Sequence, residues 1–344
     1  MPAATLRRRL IAGLIFGFLV ILAVAFLGDV RQVGADLGAF NWRLLPLILG
    51  GTLFNYALRF LKWHYYLGQI GATSVSWLES ARMFVGGFPL AVTPGKVGEA
   101  LKGVWIHQRS GVPIARAIPV VVAERISDGL AVLVLSTLGV IAYPAYWPAF
   151  AVVLGVLVAL VALSQVRRLA LWLLRAAERL PLVRPLAQPL RGFYEGTYAL
   201  FRPQATFLAV GLGSVAWLGE GVAMYLVLRG LGVAAGWHNL FLAVFTLAFS
   251  TVIGAVSTLP GGLGAAEASI AGMLTVLLSL SADTAAAATL LIRFATLWFG
   301  VALGLIVWAA SPGLLSFASA DVETPAASVS HPADTGEPSH GSPS

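Results

Sequence analysis

The stretch LIAGLIFGFLVILAVAFL, from Leu10 to Leu27, contains no charged residue and follows the basic tripeptide Arg7 to Arg9. A helix needs about 20 apolar residues to cross a hydrocarbon core about 30 Å thick. We therefore predict a first membrane span here, with residues 1–9 held in the cytoplasm by their positive charge. Cleavage as a secretory signal peptide is the alternative, because Ala23-Val24-Ala25 resembles a small-residue cleavage site.

The composition of the whole chain extends this prediction beyond one span. Of the 344 residues, 58% are hydrophobic and 11% are charged, and the mean hydropathy is +0.87. An ordinary soluble domain is about 25% charged, so much of this chain is expected to lie in lipid. The apolar runs lack the short alternating pattern of a membrane β-barrel. We predict an all-α fold, a polytopic membrane helix bundle.

The residue types argue against several classes of function. The chain has no cysteine, which removes disulfides, thiol nucleophiles and thiolate ligands. Its five histidines are far apart and form no HExxH motif, so no metal and no cofactor are expected. The net charge of +7 is attributed to membrane orientation rather than to nucleic-acid binding, because the arginines concentrate in loops. No catalytic residue is predicted.

The predicted spans fall into two membrane halves joined by a basic loop. Residues 10–164 form the first half and residues 206–311 the second. The loop 165–205 is rich in arginine and is predicted to be cytoplasmic; residues 169–180 within it could instead form an amphipathic helix on anionic head groups. The tail 312–344 is rich in Ser, Pro and Ala and is predicted to be a disordered cytoplasmic segment.

Two similar helix breaks, one in each half, indicate an internal repeat. The segment TPGKVGE ends at Glu99, and the segment LPGGLGAAE ends at Glu267. In each half, 26 residues separate this glutamate from an arginine, Arg125 or Arg293. Since the loop charges orient the halves in opposite directions, we predict two inverted repeats, each with a re-entrant or broken helix pair, as in many secondary transporters. Independent origin of the two Pro-Gly breaks is the alternative.

Each break has the composition of an anion-binding helix start. Glycine lets the chain turn sharply and lets the backbone approach a ligand, and N–H groups at a helix start attract anions. Lys96 adds a positive charge to the first break, but valine follows it, so the break is not a Walker A loop. The glycines assigned to this role are Gly95, Gly98, Gly261, Gly262 and Gly264.

Charged residues inside the predicted spans supply the other candidates. A charge at the bilayer centre costs about 2.5 to 3.5 kcal/mol, so it normally faces a partner or a watery cavity. Arg59, Arg125 and Arg293 are predicted to bind substrate together with Lys96 and the glycines. A pairing or coupling role is predicted for Asn55, Glu99, Glu124, Asp128, Glu220 and Glu267.

Two of these expectations leave alternatives open. Glu99 with Arg125, and Glu267 with Arg293, are expected to pair across the breaks, either as structural ion pairs or as parts of a ligand site. Glu124 and Asp128 lie four residues apart on one helix face, where they would repel each other without a cation or a proton between them. An interfacial, solvated pair is favoured over a proton relay.

The order and spacing of these residues resemble the flippase-like family typified by the transmembrane region of lysylphosphatidylglycerol synthase. The resemblance covers about residues 10–311 and implies movement of phospholipid between leaflets. In that family a separate soluble domain performs aminoacyl transfer, and residues after Ser311 are not expected to form one. The residues that carry the resemblance are Asn55, Arg59, Pro94 to Glu99, Glu124, Arg125, Asp128, Pro260 to Gly264 and Glu267.

We therefore expect a transporter of a phosphate-bearing lipid, either a membrane phospholipid or a polyprenyl-linked lipid, and not an enzyme. Its expected location is the inner (cytoplasmic) membrane, with several spans and both termini in the cytoplasm. An intramembrane enzyme or an accessory subunit that modifies lipids or lipid-linked sugars is one alternative. A scaffold whose charges only hold helices together is another. A homo-oligomer is compatible with the sequence.

Overall fold

The computed structural model describes residues 3–26, 29–93, 98–142, 147–168, 170, 172, 187–311 and 313–314. All regular elements within these ranges are helices, and no strand occurs among them, which confirms the all-α prediction. Gly95 and Lys96, most of the segment 169–180 and the tail from residue 315 lie outside the described residues. The predictions made for them stay predictions.

The first half of the chain forms seven described helices. They are α1 (Ala3–Ala25), α2 (Val30–Ala39), α3 (Leu45–Gln69), α4 (Trp77–Gly86), α5 (Leu101–Ser110), α6 (Ile114–Ala142) and α7 (Trp147–Gln165). Short 3₁₀ turns at Trp42–Leu44 and Phe88–Val92 precede α3 and the first break.

The rest of the chain begins with a helix inside the basic loop. The helices are α8 (Ala187–Leu200), α9 (Pro203–Gly230), α10 (Trp237–Val256), α11 (Ala265–Leu278), α12 (Ala282–Arg293) and α13 (Phe299–Ala310). A 3₁₀ turn at Pro260–Gly262 forms the second break, and a π-helical turn at Phe294–Trp298 joins α12 to α13.

Six helical stretches of the described part are long and apolar enough to cross a membrane. Large apolar side chains on them are exposed, as on Phe18 and Phe207, which suits a surface that contacts lipid. These stretches confirm the polytopic prediction, and they are Arg8–Ala25, Trp42–Gln69, Pro203–Gly230, Trp237–Val256, Pro260–Leu278 and Ala282–Ala310.

The helices around the two breaks differ in length. In the first half, α4 and α5 have 10 residues each. A helix of that length extends about 15 Å, about half of the hydrocarbon thickness. In the second half, α10 has 20 residues and α11 has 14. The short first pair suits the re-entrant path predicted from the sequence, and that path stays a prediction.

The two halves pack into one bundle. Helices α3 and α9 lie against each other where Gly51 faces Gly219, and small residues allow this close approach of backbones. The core around Trp63 and Phe84 also contains Trp308, whose Nε1 donates to the Gly86 carbonyl at 2.8 Å. The cavity described below therefore has walls from both halves, while the inverted relation between them stays a prediction.

The described start of the C-terminal tail packs against the bundle. Leu314, within the segment predicted to be disordered, is 6% exposed. Its carbonyl oxygen accepts a hydrogen bond from Trp105 Nε1 at 2.9 Å. An apolar side chain and one indole donor thus order residues that composition alone assigns to a disordered tail.

Candidate functional site

A cavity of about 510 Å³ lies between the two halves of the bundle. Its wall includes residues of α3, α6, α7, α9, α10 and α12, and both breaks reach it, the first through Glu99 and the second through Gly261 and Gly262. Most of the wall is apolar. The polar and charged residues that line it are Tyr56, Arg59, Glu99, Arg125, Asp128, Glu220, Thr251, Arg293 and Thr296.

Glycine conformations shape the second break. Gly261, Gly262 and Gly264 have φ angles of 62°, 69° and 87°, in the left-handed region that glycine adopts without steric cost. A Cβ atom on Gly262 would lie 3.0 Å from the Cα atom of Gly254 on α10. The backbone of the break therefore lies directly against α10, where only glycine fits.

Glu267 and Arg293 hold this break in place. Glu267 is the third residue of α11, and its Oε2 accepts a hydrogen bond from the Gly264 N–H at 2.6 Å, as in half of a capping box. Arg293 Nε donates to Glu267 Oε1 at 2.6 Å, and its Nη2 donates to the Gly261 carbonyl at 3.2 Å. The arginine thus joins α12 to both ends of the break.

The first break has the corresponding ion pair. Arg125 Nε donates to Glu99 Oε2 at 2.9 Å, and the Glu99 side chain is only 4% exposed. The Arg125 side chain is 38% exposed, and among the described residues its two Nη atoms have no hydrogen-bond partner. Both ion pairs expected from the sequence are therefore present, and Arg125 keeps donors available beside the cavity.

A buried charge cluster reaches the wall of the cavity through Arg59 and Asp128. Arg59 Nη2 is 3.0 Å from both Glu124 Oε1 and Asp128 Oδ2. Lys62 pairs with Asp128, and Lys102 Nζ lies 3.2 Å from Glu124 Oε2. These five side chains, on α3, α5 and α6, form the buried charge cluster. The exposed fraction of each is at most 9%.

The interpretation of Glu124 and Asp128 as an interfacial, solvated pair is wrong. Both carboxylates are buried, and three cations from α3 and α5 surround them. The aromatic rings of Trp63 and Phe84 also flank Lys102, with centroids 4.9 and 5.6 Å from its Nζ. Cations rather than water or a shared proton thus offset the repulsion between the carboxylates.

Glu220 differs from the other carboxyl groups around the cavity. It lies on α9, lines the cavity and is 4% exposed. Within the described part of the chain it makes no hydrogen bond and no ion pair. Arg59, Arg293 and Asp128 act on it only through their charges. Glu220 is thus a buried carboxyl group whose charge, among the described residues, is offset only by Arg59 and Arg293, with which it forms no ion pair.

Comparison with known proteins places the chain within a family. A family model described as "Lysylphosphatidylglycerol synthase TM region" matches residues 10–304. The chain belongs to this family. It is also similar to a "UPF0104 membrane protein" of Methanothermobacter thermautotrophicus, with 26% identity over 305 residues, which covers 84% of this chain and 89% of that protein. The resemblance inferred from the two breaks is confirmed.

In this family member, the cavity brings together only part of the predicted set of site residues. Asn55, Gly98, Glu124, Gly264 and Glu267 are absent from its wall, although Glu267 is tied to it through Arg293. Asn55 is fully buried, and its side-chain amide has no partner among the described residues. The predicted residues on the wall are Arg59, Glu99, Arg125, Asp128, Glu220, Gly261, Gly262 and Arg293.

The structure adds residues that the sequence interpretation missed. The Tyr56 hydroxyl donates to the Thr296 carbonyl at 2.6 Å, within the π-helical turn that follows Arg293. Such turns are frequent at functional sites. Trp217 lines the same wall, with its ring centroid 5.7 Å from the Arg59 guanidinium carbon. Tyr56 precedes Arg59 by three residues, and Trp217 precedes Glu220 by three residues. Each aromatic residue therefore lies on the same helix face as a charged candidate, and this spacing is the sequence signal that could have identified it.

The cavity offers both charged and apolar contacts to a ligand. Guanidinium donors and a turn of glycine backbone lie beside a mainly apolar wall. Among the described residues, no cluster of three or more His, Asp or Glu side chains could hold a metal ion.

Proposed function

We propose that this protein moves a phosphate-bearing lipid between the two leaflets of the membrane. The observation that supports this most directly is one cavity lined by an arginine from each half, Arg125 and Arg293, within a largely apolar wall. A lipid needs both parts of this environment, because its phosphate must leave water while its chains stay in apolar surroundings.

The phosphate would bind between the two breaks. Arg125 offers two Nη atoms, and Arg293 keeps Nη1 without a protein hydrogen bond within the described residues. A guanidinium group binds phosphate oxygens through paired, charge-assisted hydrogen bonds. The ion pairs to Glu99 and Glu267 hold the two arginines by their Nε atoms, which leaves both Nη atoms of Arg125 and Nη1 of Arg293 for the ligand.

The charges around the cavity point to coupling with a proton at Glu220. The described set contains five basic and five acidic side chains, so a bound phosphate adds a net negative charge to a region of low dielectric constant. Four of the five carboxyl groups pair with a cation, whereas Glu220 has no such partner within the part of the chain that the structure describes. We infer that Glu220 takes up a proton as the lipid enters. The set is Arg59, Lys62, Lys102, Arg125, Arg293, Glu99, Glu124, Asp128, Glu220 and Glu267.

The surroundings of Glu220 favour this role. The groups that act on it are Tyr56 and Arg59 of α3, Asp128 of α6 and Arg293 of α12. Asp128 is neutralised by Arg59 and Lys62, so it is a poorer proton acceptor. Glu220, rather than Glu124 or Asp128, is therefore the carboxyl group that we propose to couple transport to a proton.

We also propose in which membrane the protein lies and how it is oriented there. The protein would lie in the inner (cytoplasmic) membrane, with both termini and the basic loop 165–205 in the cytoplasm. The two halves, as inverted repeats, would expose the cavity to each leaflet in turn. The lipid would be a membrane phospholipid or a polyprenyl-linked lipid, and no aminoacyl transfer is proposed.

Reconstitution tests the proposal. The purified protein is placed in liposomes with fluorescent phosphatidylglycerol in the inner and outer leaflets, and dithionite bleaches the lipid that reaches the outside. We expect bleaching beyond the outer-leaflet half with the wild type, and no such increase with the Arg125→Gln or Arg293→Gln variants. A rate equal to that of protein-free liposomes for phosphatidylglycerol and for a polyprenyl phosphate would contradict transport. A chemically changed lipid in mass spectra would favour the enzyme alternative.

A further inference from the structure

A second hollow, of about 260 Å³, lies in the basic segment of the chain and shares no residue with the transport cavity. Four arginines converge on it from different segments: the start of α6, the residues after α7, helix α8 and the residue before α9. We call it the arginine hollow. It is lined by Arg116, Arg167, Arg191, Arg202, Tyr194, Glu195, Tyr198 and Ala199.

Glycines on α8 bring these groups together. Gly192 and Gly196 lie one helical turn apart and face the start of α6. A Cβ atom on Gly196 would lie 2.7 Å from the Arg116 carbonyl oxygen, so a larger residue would push α8 away. This close packing places Arg116 beside Tyr194 and Tyr198, and the Arg167 guanidinium lies over the Tyr198 ring at 5.7 Å. The hollow is thus built by the packing of helices.

Two buried polar atoms on its wall point to a ligand. Arg116 Nε and the Tyr194 hydroxyl have no hydrogen-bond partner within the described residues. Buried donors in native proteins are normally satisfied, and an unsatisfied one indicates a bound water, ion or ligand. Both atoms belong to residues that line the hollow, so the unsatisfied donors lie at its wall.

The charge of the hollow sets the chemistry of that ligand. Even without counting Arg191, three arginines line the hollow with one acidic residue, Glu195, so the wall carries an excess of positive charge. Guanidinium groups bind phosphate through paired hydrogen bonds. The volume is smaller than that of a typical pocket for a drug-sized ligand, which suits a head group without its acyl chains.

We propose that the arginine hollow binds the phosphate of an anionic phospholipid from the surrounding leaflet. Exposed apolar side chains on the same helices favour a lipid over a soluble anion: Leu190 and Phe193 on α8 are 40% and 37% exposed, and Phe207 on α9 is 79% exposed. The acyl chains would lie along this apolar surface while the phosphate enters the hollow. Free phosphate has the same chemistry and is the second arm of the test.

The test measures binding by thermal protection of the full-length protein in a neutral detergent. Dihexanoyl phosphatidylglycerol, dihexanoyl phosphatidylcholine and inorganic phosphate are titrated separately, at low salt. The hollow variant is Arg167→Gln with Arg202→Gln, both exposed, and the matched control is Arg8→Gln with Arg168→Gln, which removes the same charge outside the hollow. Tyr194→Phe is a second variant that removes one unsatisfied hydroxyl and no charge.

We expect phosphatidylglycerol to protect the wild type and the control equally, and the double hollow variant to bind at least about tenfold more weakly. Tyr194→Phe should also weaken binding. The loss should also appear when the hollow substitutions are placed in the Arg125→Gln background, in which the transport cavity lacks one phosphate-binding arginine, and this separates the hollow from the transport cavity. Equal protection by inorganic phosphate, lost in the hollow variant, would assign the hollow to a soluble anion. Equal protection of the control and both hollow variants by phosphatidylglycerol would overturn the proposal.

Discussion

Variants of the Glu99–Arg125 ion pair at the first break can distinguish a structural role of Arg125 from a role in ligand binding. Arg125→Gln leaves the Glu99 carboxylate, whose side chain is 4% exposed, without its cation. Breaking a buried pair in this way costs about 3 kcal/mol, at the lower end of the usual range because the Arg125 side chain is 38% exposed. The double variant Glu99→Gln with Arg125→Gln leaves no unpaired charge and should cost only about 1 kcal/mol.

The expected recovery is thus about 2 kcal/mol, or roughly 30-fold in the ratio of folded to unfolded protein. Thermal unfolding in detergent measures it, and the liposome assay measures transport by the same variants. We expect the double variant to be stable but inactive, because the guanidinium that binds phosphate is gone. The Glu79–Arg109 pair, with side chains 32% and 43% exposed, is a control whose double glutamine variant should change stability by less than about 1 kcal/mol and leave transport intact.

Wild-type transport by the stable double variant would refute this reasoning. Arg125 would then only hold the break in shape, as the scaffold alternative requires. Charge reversal of the pair, Glu99→Arg with Arg125→Glu, adds a second measure. A scaffold role predicts that the reversed pair restores transport, whereas our account predicts that it does not, because a carboxylate would then face the phosphate.

Three further predictions follow from other parts of the site. Glu220→Gln should keep binding of the anionic lipid but remove the dependence of transport on an imposed pH gradient, and an unchanged gradient response would contradict proton coupling. Gly262→Ala should destabilise the protein by at least about 1 kcal/mol, because its φ is 69° and its Cβ would meet Gly254, whereas Gly272→Ala has no neighbour within 4 Å and should not. Tyr56→Phe should lose about 1 kcal/mol with its hydrogen bond to Thr296, measured by thermal unfolding.

The membrane fold and the two ion pairs could be predicted from sequence because they depend on local signals. Apolar runs long enough to cross a bilayer predict spans directly, as for the first span, which the structure places at Arg8–Ala25. The spacing of 26 residues between Glu99 and Arg125, repeated at Glu267 and Arg293, predicts pairs that the structure contains. These features need no knowledge of how distant helices pack.

The buried charge cluster could not be predicted in this way, because it depends on packing between three helices. Lys62 and Lys102 look like ordinary basic residues in the sequence, yet the structure brings both onto the carboxylates of α6. The solvated interpretation of Glu124 and Asp128 failed for the same reason. Among the described residues Glu220 has no partner, and this is likewise a property of the assembled bundle, since nothing near Glu220 in the chain indicates it.

Photo-crosslinking tests the central claim most directly. Phosphatidylglycerol with a diazirine on its head group is mixed with the protein in liposomes, and the sample is irradiated. Mass spectrometry then maps the residues that carry lipid adducts. We predict adducts on wall residues from both halves, near Arg125 and near Gly261, and their loss when excess unlabelled phosphatidylglycerol competes. Adducts confined to lipid-facing residues such as Phe18 and Phe207, with none on the cavity wall, would contradict a shared head-group site between the two breaks.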